Sequence, residues 1–255
     1  MSRAKFGIIL YTLREPARKS VPDTLKRVRD IGFEYVQWSG MPNLPAEEIR
    51  KALDDAGLKA FAGHCALEPF EEDFVSAVRH WKTIGVWDLA VGGMMGDCKD
   101  SLEAWLQGAG RLESVGTKLG ASGIRFSYHN HAVEFEKFPG DDARCKLDIL
   151  YAASKPDSLY AELDLGWVYA GGADPAAYLR KYAGRCPVVH AKDLILVNGK
   201  AQFVELGGGA LNWDTIFEAG KQARVEWYVY EQDTCKGDVW DSVRASYEFL
   251  KSRLG

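Results

Sequence analysis

One alternation runs along the whole sequence: a short apolar run, a turn, then an amphipathic segment. The apolar runs are FGIIL (6–10), YVQW (35–38), LKAFAGHC (58–65), DLAVGG (88–93), IRFSYHN (124–130), LYAELDL (159–165), PVVHAK (187–192) and EWYVYE (226–231). Each is rich in β-branched or aromatic side chains and bounded by Gly, Pro or Asp, which marks a buried strand. Helical periodicity fills the intervals. Leu25, Val28 and Ile31 recur at i, i+3, i+6 between Pro22 and Gly32. A second helix is predicted over 45–56, stopping at Gly57, and a third over 69–84, stopping at Gly85. Proline at the start and glycine at the end are the normal helix boundaries.

Eight such units in 255 residues, about 32 residues each, predict a parallel sheet with right-handed crossovers. At this length the sheet closes as an α/β (β/α)8 TIM barrel, a single domain over residues 1–255. An open doubly wound sheet would show a glycine fingerprint after its first strand. Here that strand runs into YTLREP, which has no glycine.

Composition narrows the function. With 47% hydrophobic and 27% charged residues the chain is neither disordered, collagen-like nor a coiled coil. A net charge of −4 argues against a nucleic-acid partner, which needs a basic face. No apolar run approaches the roughly 20 residues of a membrane span, and Phe6–Leu10 is too short for a signal-peptide core. The five cysteines, Cys65, Cys98, Cys145, Cys186 and Cys235, form no C-x-x-C pair and read as reduced thiols. A cytoplasmic enzyme for a small molecule is the expectation. A closed barrel has no strand edge, so any homo-oligomer would form through helices or mouth loops.

In such barrels function gathers at the C-terminal ends of the strands. The last four ends are polar: YHNHAVEF (128–135), AELDLGW (161–167), VVHAKD (188–193) and VYEQD (229–233). Residues i and i+2 share a strand face, which pairs His129 with His131, Glu162 with Asp164, His190 with Lys192, and Glu231 with Asp233. Charges inside a barrel are costly unless paired or bound to a metal. Glu134, Asp164, His190 and Glu231, separated by 30, 26 and 41 residues, would come from successive strands and form a divalent-cation site. Oxygen and imidazole ligands without thiolate favour Mn²⁺ first, then Mg²⁺ or Co²⁺, with Zn²⁺ accommodated.

The segments YHNHAVEF, ELDLGWVYAGGADPAAYLRKYAGR, VVHAKD, ELGGGALNWDTIF and WYVYEQD resemble the sugar phosphate isomerase/epimerase group. That group belongs to the xylose isomerase-like TIM barrels, and the likeness extends over residues 6 to 250. It implies a divalent metal held by Glu, Asp, His and Glu at the last four strand ends. Asp164, His190 and Glu231 match those positions. The first ligand falls on Glu134, with His129 or His131 as substitutes, because His129 stands where relatives carry the Glu. The resemblance further implies that the two metal-bound glutamates, Glu231 and Glu134, exchange protons with a keto sugar or polyol derivative. His131 would assist and Lys192 would stabilise an enolate. Trp38, His64, His129 and Lys192 are the candidate substrate contacts.

Blander roles compete. Asp164 could cap a turn before Gly166, His64 could be a structural histidine, and aromatics at strand ends often only pack. The run Gly207-Gly208-Gly209 lies where many barrels bind phosphate, but it carries no Lys or Arg, so an unphosphorylated substrate is preferred. Three other classes remain. A lyase (inosose dehydration or 3-keto-glycoside cleavage) would use the same residues. A non-catalytic homologue would have lost the first ligand. An endonuclease would need more metal ligands and a basic groove.

Overall fold

The first strand, β1 (Lys5–Ile9), pairs with the last, β10 (Trp227–Tyr230), and so closes the sheet. Between them in the chain come β2 (Tyr35–Trp38), β3 (Lys59–His64), β4 (Asp88–Val91), β5 (Arg125–His129), β6 (Tyr160–Asp164) and β7 (Val188–Ala191). These strands follow one another around a closed parallel barrel in chain order, with β10 beside β7. The computed structural model describes residues 4–140 and 144–255. The expected (β/α)8 TIM barrel is the fold, and all eight apolar runs supply its strands.

Helix boundaries follow local chemistry. The Ser20 side chain caps the helix Val21–Ile31, whose Leu25, Val28 and Ile31 are buried against the sheet. Gly57 (φ +69°) and Gly85 (φ +99°) end two further helices in the left-handed region that glycine adopts without steric cost.

Two expectations need correction. The helix predicted over 69–84 is two helices, Glu68–Glu72 and Phe74–Ile84. Asp73 between them leaves helical geometry (φ −142°), and its carboxylate accepts from the Ser76 amide, so it starts a new helix instead of continuing the old one. After β7 the chain also forms an antiparallel hairpin, β8 (Asp193–Val197) and β9 (Lys200–Val204), that the strand count did not include. Its signal was in the sequence: Asn198-Gly199, both at positive φ (+51° and +74°), is the favoured two-residue hairpin turn.

The lumen decides where chemistry can sit. Ile9, Phe61, Ala62, Val188, Trp227 and Val229, with Tyr35 against them, form an apolar plug separate from the main core. Phe61 and Trp227 stack at 3.9 Å. Burying each such large side chain is worth about 1.5–3 kcal/mol. At the N-terminal strand ends, Arg125 spans Asp88 and Glu226 at 2.7–2.8 Å. With that side filled, polar side chains in the lumen face the C-terminal mouth. Parallel register then sets His129 beside Glu162 and Asp164 beside His190.

Candidate active site

The deeper polar layer is centred on Glu162, which is 2% exposed. Its Oε2 accepts from Gln37 Nε2 at 2.9 Å, and its Oε1 lies 2.6 Å from His64 Nε2. The same oxygen is 3.1 Å from His190 Nε2 and 3.3 Å from His129 Nδ1. Burial alone would raise the Glu162 pKa, but the His190 and His64 imidazoles hold it well below the usual carboxylate range. His190 has Nδ1 2.7 Å from Glu231 Oε2 and Nε2 2.7 Å from the Gln37 side-chain oxygen. Both ring nitrogens therefore face acceptors. Burial opposes the charge, yet Glu162 and Glu231 push its pKa up to about 10.

Lys192 lies above this layer, 1% exposed. Its Nζ stands 2.8 Å from Asp164 Oδ2 and 3.1 Å from both Glu231 Oε2 and Asp233 Oδ2. The ammonium also faces the rings of Trp167 (5.2 Å) and Phe203 (5.5 Å), the latter carried on β9 of the unexpected hairpin. Burial opposes this charge too, but the three carboxylates raise the pKa. Asp164 divides its carboxylate. Oδ1 accepts from the Trp167 amide at 2.9 Å and caps the helix Leu165–Ala170, while Oδ2 lies against the Lys192 ammonium. The capping role and the site role are thus compatible. Burial pushes its pKa up to about 6, against the pull of Lys192.

One ligand atom from each of His129, Asp164, His190 and Glu231 lies within 4.8 Å of the other three, and all four residues are buried. Three of the four expected metal ligands therefore converge, and the fourth place is taken by His129. Glu134 is spent elsewhere. Its two oxygens accept from the Tyr128 hydroxyl (2.8 Å) and the His131 amide (2.7 Å), closing the 3-10 turn Ala132–Phe135. A second grouping, His64, His129, Glu162 and His190, is equally tight one layer deeper and shares two histidines with the first.

The remaining candidates divide. His64 and Lys192 line the site. His131 is half-buried, 5.0 Å from the His129 ring and 5.8 Å from Trp167, and burial lowers its pKa. Trp38 is buried in the main apolar core, not offered to a ligand; the residue before it on β2, Gln37, reaches into the lumen instead. Gln37 and Phe203 escaped the sequence reading. A lone Gln within the otherwise apolar YVQW was the available signal for the first.

The donor set suits a divalent ion. Four carboxylates, Glu162, Asp164, Glu231 and Asp233, crowd around His190 and Lys192. Oxygen and imidazole ligands match Mn²⁺, Co²⁺ or Zn²⁺, and a second imidazole in place of a carboxylate weakens the case for Mg²⁺.

The family described as xylose isomerase-like TIM barrel matches residues 25–253. No curated protein matches the chain. Among solved structures, a sugar phosphate isomerase/epimerase from Parabacteroides distasonis superposes with a TM-score of 0.84 at 20% identity, covering 99% of this chain and 95% of that one. A structure named L-ribulose 3-epimerase gives 0.73 at 16%, covering 98% and 94%. A probable 3-DHS dehydratase from Bacillus anthracis gives 0.73 at 15%, covering 98% and 99%.

Proposed function

The chain belongs to the xylose isomerase-like TIM-barrel family, and from that we propose that it is a divalent-metal-dependent isomerase or epimerase of a keto sugar or polyol derivative. The observation that carries the reading is the convergence of His129, Asp164, His190 and Glu231 at the mouth, beside the buried Lys192. The names of two structural neighbours, an isomerase/epimerase and a 3-epimerase, agree with it.

A divalent ion held by those four residues would polarise the substrate carbonyl and stabilise charge developing on its oxygen. Glu231 is the base for the proton next to that carbonyl. Burial would raise its pKa, but Lys192 and His190 hold it well below the usual range, so it is ionised at neutral pH. His190, at 2.7 Å, fixes which oxygen faces the substrate. Lys192 donates to substrate oxygens, and His131, beside His129 at the rim, assists the proton transfer. Glu134 acts through the backbone of His131 and is a positioning residue. Trp167 and Phe203 present aromatic faces to the sugar's apolar side.

Incubation in D2O with Mn²⁺ and keto sugars is expected to introduce deuterium at the carbon next to the carbonyl without loss of mass. Loss of water would favour the lyase reading that the dehydratase neighbour raises. No exchange with any of Mn²⁺, Co²⁺ or Zn²⁺ would overturn the proposal.

Metal affinity carries its own pH signature. Ligation needs Asp164 ionised and one His190 nitrogen free of its proton. His190 titrates at about 10 and Asp164 at about 6, so acidification weakens binding. Calorimetry in buffers of different ionisation enthalpy is expected to show about one proton released per ion between pH 6 and 10, and about two below pH 6. Proton release that does not grow on acidification through pH 6 would remove Asp164 from the ligand set.

A further inference from the structure

The loops after the seventh and eighth barrel strands are where TIM barrels commonly bind a substrate phosphate, using backbone N–H groups and a helix N-terminus. In this chain those donors already hold anions or polar caps of the protein's own. Asp193, the first residue of β8, is completely buried. Its Oδ2 accepts from the amides of Gly207 (2.9 Å) and Gly209 (3.2 Å) and from the Trp213 indole (2.8 Å). Its Oδ1 accepts from the amides of Leu194 (2.9 Å) and Leu211 (3.4 Å). The Gly208 amide donates to the Glu205 carbonyl at 2.9 Å. Every N–H of the Gly207-Gly208-Gly209 run therefore has a partner within the chain.

The glycines themselves fit this arrangement. A Cβ on Gly209 would collide with the Asp193 carboxylate, so the missing side chain admits that carboxylate and leaves no opening for an outside anion. The two helix N-termini are committed in the same way. Asn212 caps Trp213–Ala223 through the Thr215 amide, with Asp214 in its first turn. Asp238 caps Val239–Leu254 through the Trp240 amide, with Asp241 in its first turn. Acidic side chains in these places take up the favourable end of each helix dipole.

Charge at the mouth acts in the same direction. Lys192 is surrounded by Asp164, Glu231 and Asp233. Arg14 spends its guanidinium on the carbonyls of Tyr11 and Asp233. A phosphate dianion would meet three carboxylates around that one ammonium, whereas a neutral hydroxyl can accept from it without such repulsion.

We infer that the substrate is a neutral, unphosphorylated sugar or polyol, and that Asp193 is the built-in anion filling the cradle a phosphate would otherwise occupy. This rests on the isomerase or epimerase reading for the reaction, but the filled cradle stands on its own geometry. The experiment has two arms. The Mn²⁺-loaded protein is assayed on matched pairs, such as D-fructose against D-fructose 6-phosphate and D-ribulose against D-ribulose 5-phosphate. Separately, inorganic phosphate is titrated by calorimetry into the wild-type protein and into Asp193→Ala.

A free sugar is expected to exceed its ester by about 100-fold or more in kcat/KM. Wild-type protein is expected to show no phosphate binding at 10 mM or below. An ester preferred over its parent sugar would overturn the inference while leaving the isomerase reading intact. If neither form of any sugar reacts, the reaction assignment falls, and the titration still decides this point. Phosphate bound by the wild-type protein with a Kd of about 10 mM or below, or more tightly than by Asp193→Ala, would overturn it; no wild-type binding supports it.

Discussion

Glu231→Gln is expected to lower kcat by about 10²- to 10⁴-fold, the usual contribution of a positioned base. The side chain is buried, so the substitution keeps volume and shape while removing the proton acceptor. Its amide oxygen can still accept from both His190 Nδ1 (2.7 Å) and Lys192 Nζ (3.1 Å), which share Oε2, so what is lost is the negative charge beside them. Metal affinity should fall with it, because Glu231 is one of the four converging ligand residues. Deuterium exchange gives the rate, elemental analysis of dialysed protein gives the metal content, and circular dichroism confirms the fold.

Glu134→Gln is the informative control. Its carboxylate serves the turn after β5, so it should retain its metal and lose only what the Tyr128 and His131 hydrogen bonds contribute, about 0.5–1.5 kcal/mol each. Should Glu134→Gln lose metal as Glu231→Gln does, the Glu134-containing ligand set is the right one. A fully active Glu231→Gln would sink the proposed mechanism.

Lys192→Met is expected to cost about 3–5 kcal/mol of stability at pH 8 in the absence of metal, as when one partner of a buried ion pair is removed. The ammonium is 1% exposed and is shared by three carboxylates within 3.1 Å. Without it, Asp164, Glu231 and Asp233 face one another with His190 as the nearest cation. The loss should shrink as pH falls. Asp164, already raised to about 6 by burial, would be raised further, and a protonated carboxyl needs no counter-ion.

Divalent cation should restore what the ammonium supplied. At a fixed Mn²⁺ concentration the gain grows as Kd falls, and without an ammonium competing for the same carboxylates the variant should bind the ion more tightly, so Mn²⁺ should stabilise it more than the wild type. Urea unfolding at pH 5 and pH 8, with and without Mn²⁺, reads all of this. Equal wild-type and Lys192→Met stability at pH 8 without metal would show that the ammonium is not the counter-ion of the cluster.

Much of this site could be read from residues alone, and the parts that could not share a cause. Asp164, His190, Lys192 and Glu231 sit at strand ends, where alternation assigns a face and the repeat assigns a neighbour. Glu134 defeated that reasoning because it lies past the strand, in a 3-10 turn where strand alternation says nothing. Trp38 failed on the same strand that supplies Gln37. Alternation holds along YVQW, with Tyr35 and Gln37 turned to the lumen and Val36 and Trp38 to the outer core, so the strand-end position of Trp38 was the wrong guide. The 193–204 hairpin was announced by Asn198-Gly199 but lies inside a βα loop, where the count of barrel strands had no place for it.

What the sequence determined by itself is the periodic part: eight strand–helix units, their closure as one barrel, and a mouth whose last four strand ends carry the charge. These follow from hydrophobic spacing and turn residues, which act over a few positions and repeat. Tertiary structure decided which charges meet. Barrel closure sets His190 against Gln37, which lies 153 positions away in the chain, and Glu162 against His64, which lies 98 away. It also folds the loop 14 to 20 residues beyond Asp193 back over that carboxylate. Metal-ligand and anion sites depend on distances of a few ångströms between side chains far apart in the chain. Local preferences do not specify such distances; the closed sheet and its packed loops do.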